Sequence, residues 1–176
     1  SFEGLPPIAE NDRIHLTETL GRYETYEKGQ YTGTQDEVAA NVRKFGQIAR
    51  CRFIKGYFNQ TLPDLDEPIA FIFLDVDLHE SLKDCLKYLW PLLQEGGYLF
   101  THEARQLQFA KLCFDDAWWR SELGCAAPGL IGAGSGLPAG FNREPGLGYT
   151  QKLPESEQIE KSEFQRFCGD PTRSAV

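Results

Sequence analysis

Six consecutive apolar residues, Ile69-Ala70-Phe71-Ile72-Phe73-Leu74, run straight into Asp75-Val76-Asp77, and this junction constrains the chain more than any other feature. A run with no polar alternation suits a parallel strand covered by helices on both faces, so we expect it at the centre of a sheet. Residues 81–93 then place Leu82, Cys85, Leu86, Leu89, Trp90 and Leu93 on one helical face, closed by Gly96-Gly97. Tyr98-Leu99-Phe100-Thr101 reads as a second buried strand ending in His102-Glu103. An amphipathic helix over 109–120 follows, with one ring of the terminal Trp118-Trp119 pair expected in the core and the other at its rim. Strand, helix, strand, helix in this order is the pattern of a right-handed, doubly wound α/β sheet.

The flanking segments are less regular. Thr34, followed by Asp36, Glu37, Val38, Val42 and Phe45, predicts a capped helix that stops at Gly46. Over 50–55, Cys51 and Phe53 alternate with basic residues, as in a half-exposed strand that ends at Gly56-Tyr57-Phe58. Residues 1–35, rich in turn formers, read as a long surface excursion. Beyond Leu130, Gly- and Pro-rich turns surround Leu130-Ile131 and Gly148-Tyr149-Thr150, which suits a closing β-hairpin. We therefore expect one domain over 1–152 and a polar tail over 153–176, without internal repeats.

Charge narrows the partners. At 176 residues and 41% hydrophobic the chain can bury one core, but its net charge of -8 lacks the basic clusters that nucleic acid or an anionic membrane would require. A small-molecule substrate that is neutral, cationic or held through a metal follows. The five cysteines are odd in number and form no Cys-x-x-Cys pair, which points to a reduced, cytoplasmic setting, with Cys85 and Cys113 as small core residues. No segment approaches the roughly 20 apolar residues of a membrane-spanning helix. The chain has no methionine, and Ser1-Phe2-Glu3-Gly4-Leu5-Pro6-Pro7 reads as a loop, so we expect a piece of something longer. Oligomeric state is left open, a homo-oligomer included.

Ligands in open α/β sheets bind beyond the C-terminal strand ends, here Gly56-Tyr57-Phe58, Asp75-Val76-Asp77 and His102-Glu103. An ionised Asp75 directly after six apolar residues is costly without a metal, a cation or hydrogen-bond donors. Asp77 suits either a functional role or a cap for the following helix, which Ser81 could share. His102 and Glu103, on the neighbouring strand end, can converge with Asp75 on a hard divalent cation that would lower the pKa of a substrate hydroxyl. A satisfied histidine beside a solvated acid is the plainer reading of that pair. His79 and His15 are expected to be structural or exposed. The glycine run 132–136 lacks a strand before it and a helix after it, so it reads as a turn rather than a nucleotide loop.

Ser1-Phe2-Glu3-Gly4-Leu5-Pro6, Lys55-Gly56-Tyr57-Phe58 with Thr61-Leu62-Pro63, and Leu74-Asp75-Val76-Asp77-Leu78-His79-Glu80-Ser81 together resemble the macrocin O-methyltransferase family, as do Pro91 and Gly96-Gly97. The resemblance covers roughly residues 1–150. It implies an incomplete Rossmann-like, class I methyltransferase fold, with a mostly parallel sheet and a C-terminal β-hairpin. It also implies S-adenosylmethionine as cofactor, a divalent metal (Mg2+ or Mn2+), and methyl transfer to a hydroxyl of a sugar or natural product. By position, Ser1, Phe2, Gly56, Tyr57 and Phe58 would bind the cofactor. Asp75, His102 and Glu103 would hold the metal, and Asp75 and His102 would act in catalysis. His102-Glu103-Ala104 departs from the acidic pair and aromatic usual there, and the glycine-rich cofactor loop would precede Ser1. A degenerate, methyltransferase-like scaffold without catalysis is the alternative, and a metal-dependent hydrolase is a third reading.

Overall fold

The computed structural model describes residues 1–10, 12, 26–104, 106–133 and 146–154. Helix α1 spans Gln35–Phe45, and Thr34 starts it as expected: its hydroxyl accepts the Glu37 N–H while the Glu37 carboxylate accepts the Thr34 N–H, with Gly46 at the end. A 3-10 turn, Ile48–Arg50, comes next, and residues 51–55 form no strand. The expectation of a strand over 50–55 fails because alternation alone cannot make one: no described strand lies beside this segment to share its hydrogen bonds. The short helix α2, Phe58–Thr61, and the turn Leu62–Asp64 lead to strand β1, Ile69–Leu74.

Helix α3 spans His79–Leu92 and buries Leu82, Cys85, Leu86 and Trp90, while Pro91 falls in its last turn, where little helix remains to disrupt. Strand β2 begins immediately, at Leu93–Thr101, earlier than its apolar run suggested. Gly97 lets β2 approach β1, since a Cβ there would lie 2.9 Å from the Ala70 carbonyl oxygen. Where one helix was expected over 109–120 there are two, α4 (Leu107–Phe114) and α5 (Asp116–Leu123). The break is at Asp115, whose carboxylate accepts the Trp118 N–H at 3.0 Å and so starts a new helix within a continuous apolar pattern. Strand β3, Gly148–Gln151, completes the described elements.

The fold is α/β with a small mixed sheet in the order β1-β2-β3, β1 parallel to β2 and β3 antiparallel to it. The C-terminal hairpin is reduced to an Ile131–Tyr149 bridge, and β3 pairs mainly with β2. One face is packed: Ile72, Leu74 and Leu99 meet Leu82, Leu86, Trp90, Phe109 and Trp119. Trp119 is wholly buried, its ring edge-on to Trp90 at 4.9 Å and its indole N–H donating to the Leu112 carbonyl, whereas Trp118 stays at the rim.

The opposite face corrects the expectation of a two-sided central strand. Phe71 and Phe73 are 56% and 54% exposed, and with Tyr98, Phe100 and Tyr149 they form an aromatic layer, Phe100 stacking on Tyr149 at 5.2 Å. β1 sits at the edge because, among the described residues, no strand pairs with its other side and nothing covers that layer. Trp119→Ala should cost about 3–5 kcal/mol, the range for truncating a buried large aromatic, read as a lower urea midpoint at unchanged slope.

Candidate functional site

A cavity of about 710 Å³ opens beyond the end of β1, and Asp75 and Asp77 line it. Its far wall is the first segment, tied to 29–30 by Leu5 N–H to the Gln30 carbonyl (3.0 Å) and Gly29 N–H to the Leu5 carbonyl (2.9 Å). Gly4 is required at this junction: its φ is +75°, and a Cβ would strike the Gly29 carbonyl oxygen. Ser1, Phe2, Tyr57 and Phe58, expected to bind a cofactor, all line the cavity. Gly56 does not; at φ +139° it makes the turn that presents Tyr57 and Phe58. The remaining expected residues, His102 and Glu103, lie at the β2 tip beside Asp75 and outside the cavity lining.

At the tips the structure brings the three expected metal ligands together but reverses their burial. One ligand atom from each of Asp75, His102 and Glu103 falls within 4.8 Å of the others, and His102 Nδ1 stands 3.7 Å from Asp75 Oδ1. The Asp75 side chain is 64% exposed, so water already meets its charge and the expected desolvation cost is not incurred. Strand alternation explains this: Leu74 points into the core, Asp75 away from it and Val76 back in. The same parity turns His102 outward and leaves Glu103 only 2% exposed.

The buried Glu103 is saturated with donors. Its Oε1 accepts the N–H groups of Val76 (2.9 Å) and Asp77 (3.2 Å), and its Oε2 accepts the Thr101 hydroxyl. Burial pushes its carboxyl above the usual range, against the opposing pull of the Thr101, Asp77 and Val76 hydrogen bonds. Asp77 has φ +59°, a conformation that costs a non-glycine residue roughly 1–3 kcal/mol and tends to mark functional sites. The Tyr26 hydroxyl donates to Asp77 Oδ1 at 3.2 Å.

The cap expected from Asp77 or Ser81 is supplied differently. Leu78 holds the N-cap position of α3 without a side-chain bond, and Asp12, 2% exposed, accepts the Glu80 N–H at 3.1 Å. Asp12 sits in a segment without periodicity, so nothing in the sequence signalled it. Burial raises its pKa, against the opposing pull of the Glu80 N–H. His79 is buried, edge-on to Phe109, in keeping with a structural role, whereas His15 and the run 134–136 lie outside the described residues. Burial raises the Cys85 and Cys113 thiols to about 12, which keeps them inert.

Asp12, Asp75, Asp77, Glu80 and Asp84 line the cavity, and no Lys, Arg or His does among the described residues. Such a lining disfavours a bound anion. Lys83 offsets part of the charge through Glu80, at 3.1 Å. As a metal site the tips fit in part: Asp75 and His102 offer accessible ligand atoms of the carboxylate and imidazole types that Mg2+ and the transition metals accept. Both oxygens of Glu103 are already engaged.

The sequence pattern of the macrocin-O-methyltransferase (TylF) family matches residues 1–122. A tetracenomycin 4'-O-methyltransferase of Streptomyces olivaceus is 34% identical over 105 residues, covering 58% of this chain and 39% of that protein. The demethyldecarbamoylnovobiocin O-methyltransferase of Streptomyces niveus is 29% identical over 112 residues, with the same coverage. The chain thus spans about two-fifths of the length of these relatives. Among solved structures, the O-methyltransferase NovP superposes with a TM-score of 0.61 at 24% identity, covering 88% of this chain and 58% of that one. The calicheamicin methyltransferase CalS11 gives a TM-score of 0.51 at 18% identity, covering 85% and 57%.

Because the pKa of Glu103 is raised, the folded chain takes up this proton more readily than the unfolded chain. Its stabilisation is therefore complete below about pH 4.3 and is lost as pH rises through the folded value. Glu103→Gln keeps an acceptor oxygen and cannot ionise. Thermal melts should show it more stable than the parent near neutral pH, the difference closing as the solution is acidified to about pH 4.

Proposed function

Since the chain belongs to the macrocin-O-methyltransferase family, we propose that it forms part of an S-adenosylmethionine-dependent enzyme that methylates a hydroxyl of a sugar or related natural product. The observation that carries this reading is the convergence of Ser1, Phe2, Tyr57, Phe58, Asp75 and Asp77 on one cavity beyond a parallel strand end. The sheet is read as part of a Rossmann-like, class I methyltransferase fold. Its bare edge and aromatic layer are where further chain of the complete enzyme would pack.

S-adenosylmethionine, when bound, supplies a methyl group activated on a sulfonium, so the chain's own work is positioning and proton handling. Phe2, Tyr57 and Phe58 offer aromatic surface for a planar ring, and Ser1 a hydroxyl beside it. Asp75 and His102 would hold a divalent cation, which polarises hydroxyl oxygens. Asp75 and Asp77 line the cavity, and the carboxylate of either is a candidate to accept the proton of a bound hydroxyl. The acidic lining suits a neutral or cationic acceptor and repels a phosphorylated one. No described helix is long and apolar enough to cross a membrane, and we place the enzyme in the cytoplasm.

A degenerate scaffold is the second reading, favoured by one observation: the Glu103 carboxylate is committed to hydrogen bonds within the protein. It expects Asp75→Asn to leave partner binding and cellular function intact. The methyltransferase reading expects Asp75→Asn in the full-length enzyme to lower turnover at least about 100-fold, the scale of a lost acid-base contribution. It also expects calorimetry to register S-adenosylhomocysteine binding to the full-length protein; the absence of heat, with and without Mg2+, removes it.

A further inference from the structure

We propose that Glu103 is a positioning residue, and not a metal ligand: its buried carboxylate clamps the Asp75-Val76-Asp77 tip into the shape that presents Asp75 and Asp77 to the cavity. The metal part of this statement rests on the methyltransferase reading, while the clamp itself does not.

The regular ladder between β1 and β2 ends at the Leu74 carbonyl, which accepts the His102 N–H at 3.0 Å. Just past that point the Val76 and Asp77 N–H groups both go to Glu103 Oε1, so a side chain takes over from the backbone as acceptor. Two successive amides converging on one anionic oxygen form a small nest, and the left-handed Asp77 turns the chain away directly after it. Without that oxygen, the Val76 and Asp77 N–H groups would lose this acceptor at the edge of a packed core, and the turn at the strained Asp77 would lose one of its supports.

The clamp is itself braced. Glu103 Oε2 takes the Thr101 hydroxyl, the Glu103 N–H donates back to Thr101 Oγ at 3.2 Å, and the Glu103 carbonyl accepts the Gln106 N–H at 2.8 Å. Ala104, next in sequence, is fully buried. Swinging the carboxylate out to a cation would break the bonds to Val76, Asp77 and Thr101 together. Asp75 and His102, by contrast, stand partly in solvent and can take a cation at no such cost.

The test uses the full-length enzyme with Mn2+ alone as probe, together with hydrogen exchange at the Val76 and Asp77 amides. Glu103→Gln keeps the acceptor oxygen, so amide protection should stay at the parental level and Mn2+ affinity should fall less than about tenfold. Glu103→Ala should lower protection at both amides at least about tenfold and weaken Mn2+ by about 10–100-fold, as for lost support behind a ligand. Should Glu103→Ala not fold, Thr101→Val takes its place, with protection reduced at the same two amides. Glu103→Gln that keeps its amide protection yet loses Mn2+ as completely as Asp75→Asn would make Glu103 a ligand and overturn the proposal. Unchanged protection in Glu103→Ala would overturn the clamp. If the parent binds no Mn2+, the metal reading fails and the amide measurements alone decide the clamp.

Discussion

One carboxylate oxygen joins the two strand tips on which the site is built. Glu103 Oε1, at the end of β2, holds the amides that follow β1, and so converts the end of a two-strand ladder into a fixed turn. The core beneath supports this arrangement: Leu74 and Val76 on one tip and Thr101 on the other are all buried. Asp75 and His102, one residue from these anchors, are left facing outward and 3.7 Å apart. A buried acid satisfied by amides thus sets the position of an exposed pair available for chemistry.

The cavity beside these tips is defined by the sign of its charge and by its wall. Five carboxylates, with no Lys, Arg or His among the described lining residues, create a potential that favours cations and metal-held oxygens over free anions. The opposite wall depends on backbone contact between the first residues and 29–30, where Gly4 allows the approach. Asp12 links that side of the site to α3 through the Glu80 amide, so the helix start and the cavity share one buried acid.

Much of this was legible in the sequence, for identifiable reasons. The run 69–74 declared a parallel strand, Thr34 with Glu37 declared a capped helix, and the strand-end rule selected Asp75, His102 and Glu103. Strand parity would also have given the burial of each, since Leu74 and Thr101 point inward and the next residues outward. What composition could not supply was context. An apolar run reads the same whether or not its second face is covered, and Phe71 and Phe73 lie bare here. Residues 50–55 alternate without a neighbour to pair with, Asp115 restarts a helix inside an unbroken apolar pattern, and Asp12 acts 68 residues away in sequence from the amide it accepts.

The most direct measurement is a crystal structure of the full-length enzyme grown with Mn2+ and S-adenosylhomocysteine, with the ion located by its anomalous signal. The ion should lie against Asp75 and His102, with Glu103 still bonded to the Val76 and Asp77 amides and the nucleoside against Tyr57 and Phe58. An ion bound through Glu103, or a nucleoside seated away from this cavity, would contradict the account.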